Sequence, residues 1–497
     1  MPVAALLSGA VLAVASLPAP CGPLVFVGFV PLLRSLLRAR SLPLAFRDGC
    51  LAGALFFGIG YGWVFQAELG SGLALAVAFV LALSLLSACF GAFALAVAWL
   101  ARRSPPLALL AAPGLWVGIE FARSQEWLLA VPWNHLGYAL ADQPSLVQGA
   151  SLVGLYGLSA WIVAVNAALV LAPRLSVPLR SGLALLLATP LALAHPAFAP
   201  DAAEEALVVA AVQPAIEERE RHIAERLQPN LRRLLDLTAS ALAAPVDLVV
   251  WPESAWERAL GTAGDAFLAA IAHDLDTPLV TGAWRMPAAG QSSWRNTAVL
   301  ATRDGRTPVV AEKVHPVPVY ERAPDGPAAR LLARAGLWSG QFGRGEAGAP
   351  LVLPRAGAAP APIGVLVCVD ASHPELARAL RLAGARLLVT IANEAGSGAW
   401  SAALNARVAR LRAIENRMPV VRVANTGPTL WIDARGRVVA ALPAGEPASA
   451  AHALSLAGAA PPYAGIGDGA VVAACFATAL AIAAARFFPS RKESSDD

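Results

Sequence analysis

The chain has 497 residues, of which 57% are hydrophobic and only 14% are charged, and its mean hydropathy is +0.58. An ordinary soluble domain carries about 25% charged residues, so this composition excludes a wholly soluble protein and indicates that much of the chain lies in lipid. The net charge of +4 is small, and no basic stripe interleaved with aromatic residues occurs. Nucleic-acid binding is therefore excluded as a function class.

Residues 1–200 are expected to form a membrane domain of seven transmembrane helices. Several apolar segments there reach the length of about 20 residues that a helix needs to cross the hydrocarbon core, although the first two are shorter. The segments lie at 3–18, 22–39, 48–66, 72–100, 106–122, 148–172 and 179–197. An eighth apolar segment at 466–487 precedes a polar tail at 488–497. The first segment lacks a basic region before it, so it is not interpreted as a signal peptide.

Basic residues fall into alternate loops between these segments. They occur in the second, fourth and sixth loops and after the last segment, as Arg34, Arg38, Arg40, Arg47, Arg102, Arg103, Arg174, Arg180, Arg486, Arg491 and Lys492. The intervening loops share a single arginine, Arg123. Because positive loops stay in the cytoplasm, both termini are expected to be cytoplasmic and the region between the seventh and eighth segments to face outward.

Residues 205–455 have a different pattern, in which short β-rich runs alternate with helical ones. The candidate strands are 206–212, 247–251, 279–283, 297–302, 309–314, 364–369, 386–391, 420–424 and 429–433. The helical patterns fall near 217–244, 263–276, 374–383 and 401–417. Runs nearly continuous in Val, Leu and Ile indicate a sheet that is covered on both faces, so we expect an α/β layered domain.

The usage of cysteine and lysine singles out two residues of this domain. Four cysteines lie in apolar runs, and Cys368 alone lies in 205–455; no CxxC pair or Cys/His cluster suggests zinc. Of 38 basic residues, only Lys313 and Lys492 are lysines. A high-GC coding bias would favour arginine throughout. An internal lysine under such a bias therefore suggests a role that needs its compact, tunable ammonium.

Glu253, Lys313 and Cys368 lie at the ends of predicted strands, where α/β folds present catalytic groups. Each alone has a structural explanation: an acid at a helix N-terminus, a solvated charge, or a buried thiol. Together they supply a nucleophile, a general base for its proton and a cation for the oxyanion of a tetrahedral intermediate. A cysteine–histidine pair that uses His315 or His373 is the alternative arrangement.

Three motifs in this order resemble those of the nitrilase superfamily. They are Trp251-Pro252-Glu253, then Glu312-Lys313-x-His315-x-x-Pro318, then a strand ending in Cys368. Seven apolar segments before such a domain and one after it resemble the apolipoprotein N-acyltransferase family of the bacterial inner membrane. Further matching motifs are 131–138, 212–213, 412–417, 422–427 and 432–437. The resemblance implies a polytopic α-helical membrane bundle that carries an extracytoplasmic nitrilase-like domain with α-β-β-α layers.

The resemblance also implies a reaction and its partners. Cys368 would take the sn-1 acyl chain of a membrane phospholipid as a thioester, and the terminal amine of a diacylglyceryl apolipoprotein would then accept it. Glu253 would move the protons and Lys313 would hold the oxyanion. Glu321 matches a second glutamate of the family, and Asp370 stands in place of another, as supporting or substrate-binding residues. No metal or organic cofactor is implied.

This sequence departs from the family pattern at several places: Leu404-Asn405 replaces a Gln-His pair, a tryptophan expected near His222 is missing, and two loops are changed. Val369-Asp370 replaces a Tyr-Glu pair, and Asn393–Gly398 replaces Asn-Asp-Ala-Trp-Phe-Gly. These changes leave open a paralogue with another acceptor or a lipoprotein-binding role, and a membrane-tethered carbon–nitrogen hydrolase. A transporter is the remaining alternative, but its path would require ionisable groups in the membrane, and the segments offer few besides Glu68 and Glu120.

Overall fold

The computed structural model describes residues 2–18, 20–66, 72–125, 131–192, 205–221, 223–287, 293–304, 309–317, 321–322 and 342–485. The chain divides into two compact units. The first comprises residues 1–64, 72–199 and 466–497, and the second comprises 65–71 and 200–465. The predicted tail at 488–497 and Glu68 lie outside the described residues.

The first unit is built from apolar helices. Their bounds are Pro2–Ser16, Val25–Gly28, Val30–Leu36, Leu42–Gly60, Gly72–Ala101, Pro105–Ser124, Ala150–Leu171, Val177–Ala192 and Gly469–Ala485. Four described stretches are long and apolar enough to cross a membrane: Leu42–Gly60, Phe79–Ala101, Pro105–Ser124 and Ala150–Arg174. The other four predicted spans coincide with shorter apolar helices. Four helices of the first unit are therefore suited by length and composition to cross a membrane. The total of eight spans stays a prediction.

The buried charges of this unit hold a loop in place. The Glu120 side chain is fully buried, and its Oε1 accepts hydrogen bonds from Trp116 Nε1 and from the Leu136 backbone N–H, both at 2.9 Å. The Arg123 guanidinium donates to the carbonyl oxygens of Val131 and Trp133, at 2.9 and 2.8 Å. These hydrogen bonds hold the segment 131–136 against the helix Pro105–Ser124. Glu120 Oε1 and Arg123 therefore have a structural role in this unit.

The second unit contains two β-sheets. Its strands are β1 (Ala206–Gln213), β2 (Leu248–Val250), β3 (Trp256–Leu260), β4 (Leu279–Arg285), β5 (Arg295–Ala301), β6 (Val309–Glu312), β7 (Leu351–Leu353), β8 (Ala361–Val367), β9 (Leu387–Ala392), β10 (Val420–Ala424), β11 (Leu430–Ile432), β12 (Val438–Ala441) and β13 (Ala448–Ser455). One sheet has the order β13-β1-β2-β4-β5-β6, with β3 paired to β4. The other has the order β12-β11-β10-β9-β8-β7.

The two sheets pack face to face and carry helices on their outer faces. In β1, Leu207 and Val209 join the core between the sheets, and the alternate residues Ala210 and Val212 pack with the helices Leu227–Ala241 and Thr262–Asp274. This alternation follows from the two-residue period of a strand. The helices Pro374–Leu382 and Gly398–Asn416 belong to the other sheet. The expected α-β-β-α fold class is confirmed.

The structure corrects several predicted element bounds. The helix predicted over 217–244 is divided into Glu218–Arg221, a 3-10 turn at Ala224–Arg226 and Leu227–Ala241. The strand predicted over 364–369 begins at Ala361 and ends at Val367, so Cys368 lies just beyond it. The strands β3, β7, β12 and β13 were not predicted. β13 is rich in alanine and lacks the apolar alternation that marks a strand, and β12 is largely exposed.

The three predicted catalytic residues follow the ends of strands in the second unit. Glu253 follows β2, Lys313 directly follows β6, and Cys368 directly follows β8. Because β1, β2 and β4 run parallel, as do β8, β9 and β10, the carboxyl ends within each sheet share an edge. The Pro252–Glu253 turn rests on Gly282 of β4, whose N–H donates to the Pro252 carbonyl at 3.1 Å.

We predict that Gly282→Ala damages this turn. An added Cβ would lie 2.3 Å from the Ser254 nitrogen and 2.5 Å from the Glu253 Cα, so backbone would have to move. Forced overpacking costs about 1–3 kcal/mol, and the free energy of unfolding should fall by that amount. Thermal unfolding in detergent measures the effect. Gly348→Ala, whose Cβ would meet nothing within 4 Å, is the matched control and should leave the unfolding temperature unchanged.

Candidate active site

Glu253 is buried in the turn after β2, and three donors surround its carboxylate. Its Oε1 accepts hydrogen bonds from Lys313 Nζ at 2.9 Å and from Asn296 Nδ2 at 2.8 Å. Its Oε2 accepts from the backbone N–H of Asn393 at 2.9 Å. Burial raises the pKa of Glu253, but the Lys313 charge and the hydrogen bonds outweigh burial, so the pKa lies below its usual value. Glu253 is therefore an ionised acceptor.

Lys313 lies between two carboxylates. Its side chain is 1% exposed, and Nζ donates to Glu253 Oε1 and to Glu321 Oε1, each at 2.9 Å. Burial alone would lower the pKa of Lys313, but the neighbouring acidic groups raise it well above its usual value. The compact ammonium fits in the narrow space between two carboxylates, where a planar guanidinium is wider. This geometry gives a physical reason for lysine at this position.

Cys368 lies immediately after β8 and opens a short 3-10 helix that ends at Ser372. It is partly exposed, and its φ of 54° lies in the left-handed region that is unfavourable for a residue with a Cβ. Burial of the sulfur and the Glu253 charge raise the pKa of the Cys368 thiol well above its usual value, while Lys313 lowers it. The thiol is therefore protonated at neutral pH, with the Glu253 and Lys313 charges close by.

Backbone strain is concentrated around this group of residues. Besides Cys368, positive φ angles occur at Ser254, which follows Glu253, and at Glu394, which follows Asn393. Such conformations cost about 1–3 kcal/mol each and persist where the surrounding structure enforces them. Three sharp turns thus present the carboxylate, the thiol and the Asn393 N–H toward one site.

Glu321 and Asp370, the two acidic residues that the sequence analysis gave supporting or substrate-binding roles, have different partners in the structure. Glu321 belongs to the cluster itself, since its Oε1 binds Lys313 and its Oε2 accepts the Val317 N–H at 2.6 Å. Asp370 instead accepts the backbone N–H groups of Val314 and His315, at 3.0 and 2.8 Å, and burial raises its pKa to about 6. Asp370 therefore joins the turn of Cys368 to the segment that follows Lys313. The catalytic and binding roles of all five residues stay predictions.

The two histidines of the alternative cysteine–histidine arrangement, His315 and His373, contact each other. The rings of His315 and His373 stack on each other, with centroids 3.7 Å apart, and His373 Nδ1 lies 3.3 Å from Glu375 Oε1. Burial lowers the pKa of His315 to about 4. The hydrogen bonds of Glu253 go instead to Lys313, Asn296 and Asn393. Because the Glu253 charge acts on the Cys368 thiol and His315 is a weakened base, the structure favours Glu253 as the base.

Asn296 and Asn393 were not predicted from the sequence. Asn296 is 2% exposed in β5, and its Nδ2 donates to Glu253 at 2.8 Å and to Glu321 at 3.3 Å. Asn296 lies between Arg295 and Thr297 at the polar start of β5, so no isolated polar residue in an apolar run marked it. Asn393 directly follows β9 and begins the altered loop 393–398, so its position at a strand end was the available signal.

A small cavity lies next to Cys368, beside the altered loop. Its polar lining includes Thr390, Glu394, Asn405 and Arg422. The Glu394 carboxylate is paired with the Arg422 guanidinium, and Asn405 Nδ2 donates to its Oε1 at 2.8 Å. The glutamate of this loop thus has a structural partner on β10, and this pairing fixes the start of the loop beside Cys368.

We predict that Asn296→Asp slows acylation of Cys368 more than Asn296→Ala does. Both variants remove a hydrogen bond to buried charge, but only Asp adds a third carboxylate beside Glu253 and Glu321. In Asn296→Asp, the lost hydrogen bonding and the added negative charge together cost about 3 kcal/mol. This cost corresponds to a roughly 100-fold lower acylation rate than that of the unchanged protein. The rate of acyl-enzyme formation, followed by intact mass, measures it. Equal rates for the two variants would contradict the charge balance described above.

Comparisons with known proteins identify both halves of the chain. The family profile of the apolipoprotein N-acyltransferase N-terminal domain matches residues 8–168, and the carbon-nitrogen hydrolase profile matches residues 208–461. Among solved structures, Nit3 of Saccharomyces cerevisiae, a member of the nitrilase superfamily, is 18% identical with a TM-score of 0.40 and covers 52% of this chain and 93% of its own.

Curated relatives match along most of the chain. An apolipoprotein N-acyltransferase of Geobacter metallireducens is 32% identical over 454 residues, covering 87% of this chain and 85% of the relative. One from Azotobacter vinelandii is 34% identical, covering 88% and 86%, and one from Pseudomonas aeruginosa is 32% identical, covering 88% and 87%. With the membrane unit and the two-sheet unit both matched, the chain belongs to the apolipoprotein N-acyltransferase family.

Proposed function

We propose that this protein transfers the sn-1 acyl chain of a membrane phospholipid to the terminal amine of diacylglyceryl-cysteine in apolipoproteins. The observation that carries the proposal is the buried Lys313 ammonium, held at 2.9 Å from both Glu253 and Glu321, near a cysteine at a strained strand end. This arrangement suits acyl transfer through a thioester. The apolar helices suit a reaction whose two substrates are both anchored in a bilayer.

The first half-reaction loads the cysteine. As Cys368 Sγ attacks the ester carbonyl, its proton passes to the Glu253 carboxylate, and the carbonyl oxygen becomes an oxyanion beside the Lys313 ammonium. Collapse of the tetrahedral intermediate breaks the bond to the glycerol oxygen, which takes the proton from Glu253 and leaves as a lysophospholipid. The products are a thioester on Cys368 and a regenerated carboxylate.

The second half-reaction transfers the chain. The neutral amine of the acceptor attacks the thioester carbonyl, and Glu253 accepts a proton from the amine nitrogen. The carbon–sulfur bond then breaks, the thiolate takes the proton from Glu253, and an amide leaves. Glu321 keeps its pairing with Lys313 throughout, so the ammonium is never left without a counter-charge when Glu253 is protonated.

The resting protonation states fit this sequence of steps. The thiol has a raised pKa and Glu253 a lowered one, so proton transfer between them is unfavourable until a carbonyl is present to receive the sulfur's electrons. The nucleophile is then generated only during attack. Asp370 lies in the 3-10 helix that Cys368 opens, and the loop 393–398 begins at Asn393, whose N–H binds Glu253. Both features would therefore shape the binding of the substrates.

We further propose that the protein resides in the bacterial cytoplasmic membrane with both termini in the cytoplasm. The alternate placement of basic loops supports this orientation. The second unit, which contains the proposed active site and is called the catalytic unit from here on, would then face the outer side of the membrane. There it would meet apolipoproteins after their export.

A membrane-tethered carbon–nitrogen hydrolase is the second candidate, and the profile match over residues 208–461 favours it. Water would then attack the thioester in place of the amine. The two candidates share the acyl-enzyme and differ in its fate, so product analysis separates them.

The test is intact-mass analysis of the purified protein after incubation with phospholipid that carries an isotopically labelled sn-1 chain. We expect an acyl adduct that neutral hydroxylamine removes and that is absent from Cys368→Ala. Addition of a diacylglyceryl-peptide should discharge it as an amide. Discharge by water alone would support the hydrolase, and folded wild-type protein without any adduct would exclude a phospholipid donor and favour a binding paralogue.

We predict that Glu253→Gln makes Cys368 more reactive toward iodoacetamide while it abolishes acylation. Removal of a negative charge near the sulfur lowers the thiol pKa, so the thiolate fraction at pH 8 should rise about three- to tenfold. Peptide mass spectrometry of Cys368 measures the alkylation rate. Glu321→Gln is the control and should accelerate alkylation less, because its charge affects the thiol less than that of Glu253. An unchanged or slower rate in Glu253→Gln would contradict this electrostatic account.

A further inference from the structure

Three potential metal ligands lie together beside the proposed active site, and the acyl-transfer steps use none of them. His315 follows Lys313 by two residues, His373 follows the 3-10 helix of Cys368, and Glu375 lies in the first turn of the helix Pro374–Leu382. One ligand atom from each residue lies within 4.8 Å of the other two. The cluster therefore joins the segment of the lysine to the segment of the cysteine.

The spacing of these atoms suits a small tetrahedral ion. Zinc binds imidazole nitrogen and carboxylate oxygen at about 2.0–2.2 Å, which places neighbouring ligand atoms roughly 3.3 Å apart. His373 Nδ1 and Glu375 Oε1 are already separated by 3.3 Å. The two rings stack at an interplanar angle of 11°, so one ring must turn about its Cβ–Cγ bond to direct its lone pair at the shared point.

Access and charge also suit a cation. The Glu375 side chain is 49% exposed, whereas that of His373 is 7% exposed, so the carboxylate marks the entrance and the imidazoles lie deeper. Asp370 adds negative charge next to the cluster, and its Oδ1 accepts the backbone N–H of His315 at 2.8 Å. This hydrogen bond holds the backbone of His315 close to the turn of Cys368, from which His373 follows.

We propose that His315, His373 and Glu375 bind one divalent transition-metal ion of the zinc type. Two imidazoles and a carboxylate favour such ions over Mg²⁺ and Ca²⁺, which prefer oxygen ligands. The ion completes its coordination with water and connects the segment after Lys313 to the turn that begins at Cys368. Its role is to stabilise the relative positions of these two segments, and it takes no part in bond making or breaking.

The experiment uses full-length protein in detergent, with Cys368→Ala as the background so that the reactive thiol cannot bind metal. After EDTA treatment and desalting, zinc affinity is measured by competition with a chromophoric chelator. We expect one Zn²⁺ per chain and a higher unfolding temperature in its presence. His373→Asn and Glu375→Gln should each weaken zinc binding at least about tenfold. Glu375→Gln alters an exposed side chain and so tests the site without a folding defect.

Cobalt provides a second readout of the same site. Co²⁺ should bind to the background protein with a visible absorption band of a low-coordinate site, and His373→Asn should remove that band. His452→Asn, which changes an exposed histidine elsewhere in the catalytic unit, is the matched control and should leave zinc affinity and the cobalt spectrum unchanged. Zinc binding that is absent from the background, or that survives both His373→Asn and Glu375→Gln, would overturn the proposal.

Discussion

The buried pairing of Lys313 with Glu253 and Glu321 is the interaction on which the rest of the catalytic unit depends. Removing three charged groups from water costs several kcal/mol for each ion, and only close pairing with further hydrogen bonds recovers that cost. The protein supplies those bonds from Asn296 and from the backbone of Asn393 and Val317. Elements of both sheets must therefore be in place before the charges can be buried.

The two-sheet fold and the strained turns serve this pairing. Glu253 and Lys313 come from one sheet, and Cys368 and Asn393 come from the other, so the site forms only when the sheets pack together. The rigid core between the sheets enforces positive φ angles at residues that would otherwise avoid them. The favourable packing of the two sheets thus offsets the cost of the strained turns that place the Cys368 thiol near the Lys313 ammonium and the Glu253 carboxylate.

The sequence allowed three members of the candidate site, all at strand ends, to be named before the structure, whereas Asn393 at the end of β9 was not. Glu253, Lys313 and Cys368 each follow a strongly apolar run, and the scarcity of lysine marked Lys313. Asn296 could not be ranked, because its importance comes from a contact across the sheet that strand periodicity does not encode. The partners of Asp370 were also beyond prediction, since backbone N–H groups carry no sequence signal. Strands β12 and β13 were missed because alanine-rich or exposed strands lack apolar alternation.

The raised pKa of the Cys368 thiol has a consequence for the chemical lifetime of the protein. Peroxides and disulfides react with thiolates and not with thiols, so oxidation to sulfenic acid requires the ionised sulfur. A cysteine with a raised thiol pKa is therefore less open to such oxidants than an ionised one, although its side chain is partly exposed. In the mechanism proposed above, ionisation accompanies attack on a substrate carbonyl, so the sulfur would be most nucleophilic when an acyl group already occupies the site. The same arrangement of charges would then protect the sulfur from oxidants and serve acyl transfer.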